Sequence, residues 1–182
     1  MVKPKHRKVA KRRVPALPRD ALWTFSLALY GKPGIAPALI RLQDRNGLDV
    51  NLLLFCCFVG ARGLGPLSKA QLIAADRAIR AWRKAVVEPL RTVRRSLKLP
   101  PLASGDTADG ELRRQVLQAE LLSEERAQAM LAAWLVRRQP SATRGVLADV
   151  ALSLERYAQS AKPRLDAGGR AALELLASAA LS

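Results

Sequence analysis

The sequence predicts an all-α fold, a compact helical bundle of about six to seven helices behind a disordered basic N-terminal arm. Three observations carry this. Apolar residues recur at spacings of three, four and seven, as on one face of a helix. Glycine and proline gather between those stretches, where helices start and stop. No run of alternating β-branched residues and no internal repeat occurs. With 182 residues, 49% of them apolar, the chain is long enough for one domain with a real core.

Residues 1–19, with prolines at 4, 15 and 18 and no hydrophobic period, form the arm. Residues 20–182 form a single helical domain with an N-terminal half (20–98), a linker (99–109, LPPLASGDTAD) and a C-terminal half (110–182). Asp20 is placed as N-cap of a first helix over 20–30 that Gly31 ends. Trp23, Leu27 and Tyr30 share one of its faces, and Leu22, Phe25 and Leu29 the next, so this helix is expected to be central. Pro33 and Pro37 mark the start of a second helix, which Gly47 closes. Asp49 then precedes a short helix over 50–61, apolar except for Asn51. Ser68 caps the longest element, 69–98, whose apolar stripe is Leu72, Ala75, Ile79, Trp82, Val86, Val93 and Leu97. Pro89 removes a backbone donor and restricts Glu88, so it is expected to kink or split that helix. The second half reads as helices over 110–138 (Leu112, Val116, Ala119, Met130, Trp134 and Leu135 inward), 143–160 (Val146, Val150, Leu154 and Tyr157 inward) and 168–181.

The net charge of +16 is concentrated in two places. The arm carries eight Lys or Arg and no acid, and residues 77–98 carry eight more against Glu88 alone. Residues 99–182 are neutral. An acidic partner would meet the arm and the 77–98 face. Cys56 and Cys57 are adjacent inside an apolar run, so they fit buried hydrophobes in a reducing cytoplasm better than a disulfide framework. The arm has no apolar stretch before Asp20, so no secretory signal is expected. The longest apolar run, Leu52 to Ala61, falls well short of the roughly 20 residues of a membrane span.

The stretches Trp23-x-Phe25-Ser26-Leu27-x-x-Tyr30, Pro33-Gly34-Ile35-Ala36 and Leu42-Gln43-Asp44-x-x-Gly47-x-Asp49-Val50-Asn51-Leu52-Leu53-Leu54-Phe55 resemble the signature of an uncharacterised proteobacterial family, a domain of unknown function. The likeness continues through Trp82-Arg83 and Val87-x-Pro89-Leu90-Arg91-x-x-Arg94-Arg95-x-Leu97-Lys98, and spans roughly residues 20–136. It implies a small helical bacterial cytosolic protein and no particular activity. The basic arm and the Cys56-Cys57 pair depart from the family pattern.

Two groups of residues are candidates for function. The first is a polar corner between two apolar segments, with Trp23, Tyr30, Gln43, Asp44, Asp49 and Asn51 as candidate lining of a small-ligand pocket. The competing reading gives these side chains structural duties: Asp49 as a helix cap, Asp44 paired with an arginine, Gln43 satisfying a backbone group. The second is a cationic surface of Arg12 and Arg13 in the arm with Arg80, Lys84, Arg91, Arg94, Arg95 and Lys98 on the long helix. It either tracks phosphates or pairs with acids such as Glu111, Glu120, Glu124 and Glu125.

No catalytic residues stand out, because no base lies near Ser26, Ser68 or Cys56 in a known nucleophile motif. His6 lies in the arm, and Asp44 and Asp49 do not match a calcium loop, so no metal and no cofactor are expected. The leading expectation is a non-enzymatic binding or adaptor protein that docks on an anionic partner, RNA or a ribonucleoprotein first and an acidic protein or DNA next. A small-ligand site or enzyme at the 43–51 corner is the alternative. A structural subunit packing through the 168–181 helix is the third.

Overall fold

The computed structural model describes Pro18 and residues 20–98, 107–138, 146–161 and 165–182, without the side chains of residues 107–109. Arg12, Arg13 and the rest of residues 1–17, together with residues 99–106 of the linker, lie outside the described residues. Among the described residues the chain is all-helical: α1 (Ala21–Tyr30), α2 (Ile35–Asp44), α3 (Val50–Ala61), α4 (Lys69–Trp82), a π-helical turn (Arg83–Val87), α5 (Glu88–Ser96), α6 (Thr107–Arg138), α7 (Val146–Ala161) and α8 (Ala167–Ala179). Because α4, the π turn and α5 run on without a break, these make seven helical rods.

The centre of the bundle is α3, not α1. Every residue from Asn51 to Gly60 is buried, so α3 has no solvent face. It crosses α7 at backbone contact: a Cβ on Gly60 would sit 2.8 Å from both the Cα and the nitrogen of Val150. α1 buries Ala21, Leu22, Ser26 and Leu29, but leaves Leu27 and Tyr30 exposed. The expectation of a central first helix therefore fails, because its Trp23, Leu27 and Tyr30 face borders a cleft and not another helix.

Local signals explain most boundaries. Asp49 caps α3, accepting from the Leu52 N–H at 3.0 Å. Ser68 and Gln71 close a reciprocal capping box on α4. Gly34 and Gly47 hold φ of 79° and 66° at the two ends of α2, where a side chain would strain the backbone. Asp20 is a correction: its side chain makes no cap hydrogen bond, and the Ala21 N–H bonds instead to the Pro18 carbonyl at 3.1 Å. α6 begins at Thr107, inside the expected linker. α8 packs on α2 and α7 through Ala172, Leu176 and Ala177.

The interruption expected at Pro89 takes an unexpected form. The helix does not break. It widens to a π turn in which the Glu88 N–H bonds to the Arg83 carbonyl, five residues back. One extra residue per turn shifts the phase of everything after it. The predicted inward position Val93 is therefore exposed, whereas Val87 is buried and Arg91 and Arg94 turn toward α6. Leu112 is likewise exposed, and the fully buried positions of α6 begin at Glu120, with Ser123, Ala127, Gln128 and Leu131.

Candidate functional site

The re-phased α5 forms one wall of a cleft of about 510 Å³ whose other walls are α1, α2, α3 and α6. Five of the six corner residues line it: Trp23, Tyr30, Gln43, Asp44 and Asn51. So do Arg91, Arg94, Arg95 and Lys98 of the cationic group. Two features that look separate in the sequence thus occupy one hollow. Its apolar side is built from Trp23, Leu27, Tyr30, Ile40, Leu117 and Leu121. Of these Leu27 is 55% and Ile40 50% exposed, although each sits on a helix with other positions available for burial.

The floor is polar. The Ser26 hydroxyl donates to Gln128 Oε1 at 2.8 Å, and Gln128 Nε2 donates to Asn51 Oδ1 at 3.1 Å. Asn51 Nδ2 donates in turn to Glu124. The carboxylate forces this order, since an ionised Glu124 can only accept. Arg91 donates to Glu124 and, from Nε, to Glu120 at 3.1 Å. Glu120 also receives Arg94. At the rim Arg95 meets Asp44 at 2.7 Å, and Gln43 donates to the same carboxylate at 3.2 Å. The chain links α1, α6, α3 and α5 through buried groups, each hydrogen-bonded as buried polar atoms require.

The two glutamates differ in electrostatic character. Burial pushes the Glu124 carboxyl above its ordinary value, and Arg91 offsets this only partly. Burial works the same way on Glu120, but the hydrogen bonds from Arg94 and Arg91 outweigh it and hold that carboxyl low. The hydrogen bond from Arg95 lowers Asp44. Burial, with the nearby Glu124 charge, raises the Tyr30 hydroxyl.

Asp49 does not face this cleft. It lies in a second, more polar hollow of about 450 Å³ beside Asp76, Arg80, Arg83 and Tyr157. Besides capping α3, Asp49 receives Arg83 at 3.3 Å, and its own N–H donates to the Tyr157 hydroxyl at 2.9 Å. Arg83 also reaches Asp76 at 2.9 Å, and Arg80 pairs with Asp76 along α4. These bonds account for Asp49 and Arg80 as supports of the fold. Lys84 is exposed on the π turn and has no ion pair among the described residues. Among the described residues no cluster of three or more metal-ligating side chains occurs, and no helix is long and apolar enough to cross a membrane.

Sequence reading missed Ser26, Gln128, Leu117 and Leu121 as parts of the site, and gave Glu120 and Glu124 only as pairing partners. A signal for the first two existed: each is a lone polar residue among apolar neighbours, as Asn51 is. Leu117 and Leu121, one helical turn apart, carried none.

A family profile described as "Protein of unknown function (DUF2390)" matches residues 21–131. The chain belongs to this family. The DUF2390 match takes in α1 to α5 and most of α6, and so covers every residue that lines the cleft. No curated protein and no solved structure matches the chain.

Proposed function

We propose that this DUF2390 protein is a binding protein whose ligand seat is the cleft between α1, α2, α3, α5 and α6. The observation that carries this is the convergence of an apolar wall and a satisfied polar floor around about 510 Å³, within the range of small-molecule sites. Leu27 and Ile40 stay exposed at its mouth, where a bound molecule would cover them. The arrangement of supports favours binding, because the floor's polar groups are locked by one another and need no rearrangement to present a fixed surface. A fragment screen read by thermal shift tests it, with Leu117→Trp as a variant that fills the cleft. Hits that stabilise the native protein and vanish in Leu117→Trp support the reading. A complete lack of hits, or hits indifferent to the filled cleft, overturns it.

Docking on RNA or another polyanion through the arm and the 77–98 face is the second proposal. It is favoured by Arg77, Lys84 and Lys98, which are exposed and have no ion pair among the described residues. It is weakened by Arg91, Arg94 and Arg95, whose charges are already met by Glu120, Glu124 and Asp44. RNA affinity measured across a salt series tests it: a steep loss with added salt that disappears on neutralising Lys84 and Lys98 supports phosphate contacts. Absence of binding at low salt overturns it.

A further inference from the structure

The hydrogen-bonding capacity left over in the cleft says what kind of ligand head it takes. Each carboxylate on the floor and rim is already paired with an arginine. Glu124 receives Asn51 and Arg91, Glu120 receives Arg91 and Arg94, and Asp44 receives Arg95 and Gln43. At the rim Asp44 Oδ2 and Gln43 Oε1 stay open as acceptors, but donors without partners outnumber them. The Trp23 indole N–H, the Tyr30 hydroxyl and the Lys98 ammonium have no protein partner among the described residues. A guanidinium has five N–H bonds. The Arg95 guanidinium spends one nitrogen on Asp44, and that pair is half exposed at the rim. Four cationic side chains line the cleft against three carboxylates, so the charge balance leans the same way.

The apolar wall supplies the other half of the specification. Trp23, Leu27, Tyr30 and Ile40 come from α1 and α2, while Arg95 comes from the last turn of α5 and Lys98 from the turn just after it, so hydrophobic and cationic surfaces face one space. We propose that the cleft binds a small amphipathic anion: an aromatic or alkyl body lies against Trp23, Leu27 and Ile40, and a carboxylate or phosphate head is held by Arg95 and Lys98. This rests on the cleft being a ligand seat at all. A hydrophobic body alone would leave the donors without partners, and a cationic head would meet four cationic side chains and three carboxylates that each already hold an arginine.

Calorimetry with four naphthalene probes tests the proposal: 2-naphthyl phosphate, 2-naphthoate, neutral 2-naphthol and the 2-naphthylmethylammonium cation, with inorganic phosphate as a head without a body. The anions are expected to bind at least about tenfold more tightly than the neutral and cationic probes, and inorganic phosphate not to bind measurably. The double substitution Arg95→Gln and Lys98→Gln is expected to erase the preference for anions and leave 2-naphthol unchanged; both side chains are exposed, so the fold tolerates it. Equal or tighter binding of 2-naphthol or the cation overturns the inference but leaves the ligand seat standing. Phosphate alone binding as well as naphthyl phosphate overturns the apolar half. Failure of every probe, together with an empty fragment screen, overturns both readings.

Discussion

Arg91 reaches Glu120 across 3.1 Å, Nε to Oε1, from a helix whose regular continuation would have pointed it elsewhere. At about 100° per residue Arg91 would lie about 120° from Ile79, and Val93 about 40°. One extra residue in the π turn brings Arg91 to within about 20° of Ile79 and sends Val93 to the far side. The burial pattern agrees: Ile79 is buried, Val93 is 48% exposed, and the Arg91 side chain is only 20% exposed. The π turn is what puts Arg91 against α6.

Deleting Ala85, an exposed residue of that turn, should therefore restore α-helical phase and carry Arg91 outward. Glu124 would be left without its cation, and Glu120 would lose one of its two. Breaking such a buried pair costs about 3 kcal/mol or more, so the denaturant midpoint should fall sharply while the helical circular-dichroism signal persists. Adding Glu120→Gln and Glu124→Gln to the deletion should recover part of the loss. Stability unchanged by the deletion would show that the turn does not set the phase.

Glu120 and Glu124 should titrate on opposite sides of the ordinary glutamate value of 4.5. The lowered Glu120 contributes stability that is present above that value and disappears as pH falls through its folded-state pKa. The raised Glu124 does the reverse: the native state holds its proton longer, so its contribution is lost as pH rises through the raised value. The destabilisation caused by Glu120→Gln should therefore grow with pH, and that of Glu124→Gln should shrink. Carboxyl-carbon NMR titration and denaturation at several pH values read both effects. Matching titrations for the two would contradict the geometry of the floor.

The π turn also explains which parts of the fold could be read in the sequence. Two caps, the glycine turns and the boundaries of α3 were legible, because their causes lie within a few residues: Asp49 with Leu52, Ser68 with Gln71; the cap expected of Asp20 was not there. Val93 was misplaced because a helical stripe projects the same phase through every residue, and a local widening leaves no periodic mark. The same limit hid the site. Its polar corner was visible as Gln43, Asp44 and Asn51, and its cations as Arg91 to Lys98, but the two lie far apart in sequence. Their union depends on Glu120, Glu124 and Gln128, which a search for apolar inward positions on α6 passes over.

Asp49 separates capping from charge. Asp49→Asn keeps an oxygen for the Leu52 N–H and loses only the pairing with Arg83, whereas Asp49→Ala loses both. The alanine variant should be less stable than the asparagine variant by about 1 kcal/mol, the usual worth of an N-cap. Chemical denaturation measures the difference. Equal losses would mean that the Arg83 contact is the whole contribution.

Cys56 and Cys57 should be inert in the native protein. Both are buried; burial pushes the Cys57 thiol up to about 12 and Cys56 up as well. Thiolate is the reactive form, so alkylation by iodoacetamide at neutral pH should proceed at the rate of unfolding and accelerate with denaturant. Rapid labelling without denaturant would place at least one thiol in contact with solvent.

The α3–α7 crossing sets the tightest constraint in the bundle. A methyl on Gly60 would approach the Val150 backbone to 2.8 Å, and backbone atoms cannot rotate aside as a flexible side chain can. Gly60→Ala must push α7 away from a helix buried along its whole length. The helix propensity gained by alanine, about 1 kcal/mol, works in the opposite direction. Overpacking in a filled core costs about 1–3 kcal/mol, and here it meets two main chains, so the net change should be a loss. Thermal denaturation of Gly60→Ala and of Gly60→Ala with Val150→Ala settles the sign. If the single variant is more stable than the parent, the helices have room between them. If Gly60→Ala costs as much in the Val150→Ala background as in the parent, the clash lies with the α7 backbone and not with the Val150 side chain.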